Sequence, residues 1–186
     1  MNVLVVGPPA WNRLLAFLID LLCVLAWAAV LAAIGVPLYS IRLLPNLNGV
    51  LGNVVSFLVL VAPVTVVLAR SESGAREGTI GKRARRLQVV DVATGSRVSF
   101  WRALLRNALK LAVPWGIGHL AVYGLIGTSS SGSVPTWLKV VTGAAYLLPA
   151  VYVISLFVRQ GRTPYDWISR TIVMSDHGCT GLLTDG

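Results

Sequence analysis

The apolar residues of this chain arrive in long runs, with no polar stripe recurring at the helical or strand period. That is the pattern of segments surrounded by lipid. Four runs stand out, at residues 14–36, 50–69, 111–127 and 137–158. A helix rises about 1.5 Å per residue, so about 20 residues cross the roughly 30 Å hydrocarbon core. The third run falls short by itself but continues backwards through SFWRALLRNALK, giving a span of about 103–127. In that segment Arg102, Arg106 and Lys110 recur every four residues and share one helical face. It reads either as an interfacial helix or as the snorkelling end of the third span. The expected fold is an all-α membrane protein: a four-transmembrane-helix bundle forming a single domain over residues 1–186, with a basic loop at 70–102 and a tail at 159–186.

Composition agrees. Residues are 55% apolar and only 12% charged, and mean hydropathy is +0.74. A soluble domain carries about twice that share of charge, so this chain has too little polar surface to cover a soluble core. The net charge of +9 is concentrated: ten of the sixteen Lys and Arg lie from Arg70 to Lys110. The 37–49 loop carries only Arg42, and TSSSGSVPT carries no Lys or Arg. By the positive-inside rule the basic loop and both termini are cytoplasmic, in a multi-pass protein of the cell membrane. The expected partners are anionic lipid headgroups at that face, and a second copy or another membrane protein. Nucleic acid is not expected, since no recognition motif accompanies the charge.

Local patterns refine the picture. Ala26-Trp27-Ala28 mimics a signal-peptide cleavage site, but Asp20 interrupts the apolar stretch and the run continues to Val36, so the segment is expected to stay as the first span. The opening NVLVVG lacks a following G-x-G-x-x-G, and Gly81-Lys82 lacks the residues of a phosphate-binding loop. LQVVDV and RVSF flank ATGS, the alternation of a short cytoplasmic β-hairpin, which needs neighbours to be stable. Pro63, Pro114 and Pro149 interrupt three of the spans, and Trp11, Trp101, Trp137 and Trp167 sit near span ends as interfacial anchors. His119 is expected to hydrogen-bond across helices. Cys23 lies in the first run and Cys179, close to His177, in the tail, so neither a disulfide nor a metal site is expected. No nucleophile–base or ligand constellation is present, and neither catalysis nor a cofactor is expected.

The candidate chemistry is the intramembrane acid Asp20. An ionisable group inside a span costs at least about 2.5–3.5 kcal/mol at the helix centre, so it needs a partner or a purpose. Arg13 is seven residues earlier, two turns away on nearly the same face. A direct pair is open, because Arg13 can also snorkel to the headgroups. Beyond the fourth span, RQGRTPYDWISRTIV places Asp166 among aromatic residues, in a segment expected to re-enter or lie on the cytoplasmic interface. The topology puts Arg13 and Asp166 on one side, so Arg13, Asp20 and Asp166 form the candidate charge cluster.

These residues carry a resemblance. WNRLLAFLIDLL, EGTIGKRARRLQVVD, SFWRALLRNALK and TPYDWISRTIV, in that order, resemble the RDD family of membrane proteins, named for one arginine and two aspartates. The resemblance covers residues 10 to 175. One departure is Tyr165, where the family often has histidine. The resemblance implies transport of some ligand, with cation/proton antiport for some members. Two readings follow. In one, Asp20 carries an ion or proton, Arg13 partners it and Asp166 closes the cytoplasmic side. In the other, the cluster locks the first helix to the C-terminal segment of an accessory or scaffold subunit.

Overall fold

The computed structural model describes residues 8–43, 49–128, 133–158 and 161–175. The opening stretch NVLVVG, His177 and Cys179 lie outside the described residues. Among the described residues, four helices are long and apolar enough to cross a membrane: Ala10–Ser40, Val50–Ser73, Phe100–Thr128 and Thr136–Ser155. The first is α1 (Ala10–Ser40). The second comprises α2 (Gly49–Ser56), a π turn (Phe57–Val61) and α3 (Ala62–Ser73). The third comprises α5 (Phe100–Asn107), a π turn (Ala108–Ala112) and α6 (Val113–Thr128), and the fourth is α7 (Thr136–Ser155). Between the second and third lie the short α4 (Ile80–Ala84) and strand β1 (Leu87–Asp91). After α7 come α8 (Pro164–Ile168) and strand β2 (Thr171–Ser175).

The two π turns have a shared cause. Proline lacks an N–H, and its ring crowds the carbonyl four residues back. Pro63 and Pro114 each follow a π turn by two residues, and the i to i+5 bonds Ala62 N–H to Phe57 O and Val113 N–H to Ala108 O widen the helix just there. Both helices pass their prolines without breaking.

The third span is amphipathic in the reverse sense of a soluble helix. Arg106 and Asn107 are buried beside Ala103, while Trp101 and Leu105 face outward. SFWRALLRNALK is therefore the start of the span, with Arg106 turned inward and Arg102 half-exposed at its end. Arg102 pairs with Asp91, and Arg106 and Lys110 point into the bundle.

The turn at ATGS forms: Gly95 takes φ +64°, its N–H reaches Asp91 O at 2.9 Å, and Asp91 N–H reaches Ser96 O at 2.9 Å. Only one bridge, Val90 to Arg97, extends it. The ladder of β1 is made instead with β2, antiparallel, from Leu87 opposite Ser175 to Asp91 opposite Thr171. The chain enters α5 at Ser99 and Val98 turns into the core with Ala69, Val89 and Ala103. Too little strand remains there to pair, whereas β2 buries Val173 with Ala16 and Leu87. The sheet thus ties α1, the basic loop and the C-terminal segment into one end of the bundle, the basic end.

Candidate functional site

The site begins with how each charged side chain is placed. α8 opens with a capping box: the Thr163 hydroxyl accepts from Asp166 N–H at 3.4 Å, and the Asp166 carboxylate accepts from Thr163 N–H at 3.3 Å. This fixes a fully buried Asp166 at the basic end. Arg13 Nη2 donates to Asp166 Oδ2 at 2.8 Å, and its Nη1 donates to the Gly161 carbonyl. Gly161 takes φ +73°, and a Cβ there would meet the Arg13 guanidinium, so glycine suits the position twice.

Arg106 then bridges two acids. Its Nε and Nη2 each lie 2.7 Å from Asp166 Oδ1, and its Nη1 lies 2.7 Å from Glu72 Oε1. Glu72, fully buried at the end of α3, also receives Lys82 Nζ on Oε1 and Asn107 Nδ2 at 2.8 Å on Oε2. The Tyr165 ring lies 5.4 Å from the Arg106 guanidinium and edge-on to Tyr152 at 5.0 Å. Where the resemblance leads one to expect histidine, tyrosine supplies an aromatic face for a cation.

Asp20 is placed differently. It is buried on α1, and its Oδ2 accepts from the Thr79 hydroxyl at 2.6 Å while Oδ1 accepts from Gly81 N–H at 2.8 Å. Both donors are neutral and belong to the start of α4, where Thr79 is the N-cap. α4 comes this close because residue 81 is glycine: a Cβ there would fall on the Ala16 carbonyl oxygen. Of the three expected residues, Arg13 and Asp166 are brought together. Asp20 bonds to neither; its partners are Thr79 and Gly81 of the basic loop.

Electrostatics at the basic end follow from burial and neighbours. Desolvation acts against the Asp166 carboxylate, but Arg106 and then Arg13 outweigh it and hold its pKa below the usual value. Burial, then repulsion from Arg106, push the Lys82 ammonium down to about 7 against the pull of Glu72. Burial, reinforced by Asp166, raises the pKa of the Tyr165 phenol and keeps it protonated.

A cavity of about 340 Å³ adjoins the network, between α1 on one side and the third and fourth spans on the other. Asp20, Lys82, Arg106 and Lys110 are among its lining residues. Among the described residues no group of three His, Cys, Asp or Glu side chains could hold a metal. His119 stacks on Trp115 at 3.5 Å on its own helix, and among the described residues its Nδ1 makes no hydrogen bond across helices.

Sequence reasoning missed Glu72, Lys82, Arg106, Asn107 and Thr79 as members of the site, and took Asp20 as the only acid within the spans. The apolar run stops at Ala69, so Glu72 falls into the loop by composition. A signal was present: Thr65, Ala69 and Glu72 are spaced as one helical face, and all three are buried.

No curated protein and no solved structure matches the chain. The sequence model of the RDD family matches residues 7–170, which takes in Arg13, Asp20, Glu72, Arg106 and Asp166, and the protein belongs to the RDD family.

Proposed function

We propose that this integral membrane protein is a small transporter in which Asp20 exchanges a cation for a proton at the cavity wall. Its basic end faces the cytoplasm, and the Arg13–Asp166–Arg106–Glu72–Lys82 network is the brace that holds the site. The observation that carries this reading is the asymmetry among the acids. Glu72 and Asp166 are bonded to cations, whereas Asp20, on the cavity wall, is held among the described residues by the Thr79 hydroxyl and the Gly81 amide. Protonating either of the first two would strand buried cations, at a cost of several kcal/mol. Protonating Asp20 breaks no ion pair among the described residues, and the Thr79 hydroxyl can rotate to suit either form. Asp20 is thus the acid able to change its charge during a cycle. The test is purified protein in proteoliposomes with a pH-sensitive dye and imposed gradients of common cations. Cation-driven proton flux supports transport, and silence from folded protein counts against it.

A second reading, a non-transporting accessory or scaffold subunit, draws on how little the spans cover one another. Only 6–11% of each most apolar 18-residue window is buried within the chain, and a Cβ at Gly143 would meet nothing within 4 Å. Such surfaces suit a second copy or another membrane protein as well as lipid. Mild-detergent purification tests it: a stoichiometric partner supports this reading, and its absence counts against it.

A further inference from the structure

The cavity has a polarity gradient that cation exchange does not use. Along α1 its wall passes from Arg13 and Asp20 to Leu21 and Val24, and along the third span from Arg106 and Lys110 to Leu111 and Trp115. Both helices run outward from the basic end, so the two walls change from charged to apolar in the same direction. Its volume of about 340 Å³ falls within the range of small-molecule pockets, about 300–1,000 Å³.

Lys110 is the group at this wall whose charge no carboxylate answers by direct contact. Glu72 is bonded by Lys82, Arg106 and Asn107, Asp166 by Arg13 and Arg106, and Asp20 by Thr79 and Gly81. The Lys110 ammonium lies 5.3 Å from the Phe17 ring centroid and, among the described residues, forms no ion pair. Among the described residues, four cations on the lining, Arg13, Lys82, Arg106 and Lys110, face three carboxylates, Asp20 on the lining and Glu72 and Asp166 bonded to its cations, which leaves one positive charge in excess.

We infer that the cavity binds an anionic phospholipid, its phosphate at Lys110 and one acyl chain in the apolar half between α1 and the third and fourth spans. Charge complementarity selects an anion, and the apolar depth selects one with a tail. A free phosphate would leave Leu21, Val24 and Trp115 facing an unfilled space. The inference goes beyond transport, since a bound lipid serves a scaffold as well as a carrier.

Trp115 on the cavity wall supplies the readout. The full chain in detergent is titrated with phosphatidylglycerol or phosphatidylcholine brominated on the acyl chains. The Trp115 contribution is the difference from Trp115→Phe, because five other tryptophans remain. Saturable quenching by the anionic lipid is expected, weaker by about tenfold or more in Lys110→Gln, the size of one charge-assisted hydrogen bond. If Lys110→Gln is not monodisperse, Val24→Phe, which narrows the apolar half, is expected to weaken binding of the anionic lipid. Equal quenching by the two lipids, no saturable quenching, or unchanged binding in the folded variant overturns the inference. Competition by glycerol phosphate as strong as that by the lipid also overturns it, in favour of a soluble phosphate.

Discussion

Arg13 and Asp166 stand 153 positions apart in the sequence and meet at 2.8 Å, both buried, with the Gly161 carbonyl taking the other arm of the guanidinium. The contact clamps the start of the first helix to the segment that follows the fourth. Removing Asp166 leaves the buried Arg13 without a carboxylate, and removing Arg13 leaves Asp166 to Arg106 alone, at a cost of up to about 3–5 kcal/mol. Arg13→Gln and Asp166→Asn should each lower the unfolding midpoint in detergent strongly, and the double variant should lose clearly less than the sum. Additive losses would show that the two residues are not coupled.

Glu72 accepts from three side chains, whereas the donors to Asp20 among the described residues are both neutral. Glu72→Gln is therefore expected to destabilise by about 3–5 kcal/mol. Asp20→Asn can keep its amide oxygen on the Gly81 N–H and donate its NH2 to the Thr79 hydroxyl oxygen, and should cost about 1–3 kcal/mol. Thermal unfolding of the two variants in the same detergent checks the order, and the reverse order would contradict the assignment of brace and site.

The approach of α4 to α1 rests on Gly81. Gly81→Ala puts a methyl group against the Ala16 carbonyl and should cost about 1–3 kcal/mol by overpacking. Cross-linking between cysteines placed on α1 and α4 should fall in the variant. Unchanged cross-linking and stability would mean that the two helices are not held this closely.

Lys82 sets a pH dependence. Its folded-state pKa is about 7 against an ordinary value of 10.5, so between those values the unfolded chain binds the additional proton. Stability attributable to Lys82 then rises with pH from about 7 to 10.5 and is flat below that window. The unfolding midpoint of the wild type minus that of Lys82→Met should rise across this range. A difference that stays level would contradict the burial of Lys82 in the charged network.

Much of the fold was legible because lipid imposes a simple rule. Long apolar runs became helices, and the reading of SFWRALLRNALK back into the third span fits the helix that begins at Phe100. The site was legible only where an acid interrupts an apolar run, as at Asp20, or where aromatic residues flank one, as at Asp166. Glu72 was lost because composition draws the span's end at Ala69, while burial continues a further turn along the same face. Thr163-Pro-Tyr-Asp166 carries a capping signature that places Asp166 at a helix start. The role of the 171–175 strand depends on a partner 80 to 88 residues earlier in the chain, and no local pattern names it.

The central claim is that Asp20 exchanges charge while the arginine network holds the bundle. It is tested most directly by proton flux in proteoliposomes driven by a cation gradient, comparing wild type with Asp20→Asn reconstituted at equal density and shown to be folded. Flux in the wild type that vanishes in Asp20→Asn, with its unfolding midpoint largely preserved, is the predicted result. Flux that persists unchanged in Asp20→Asn would contradict the account.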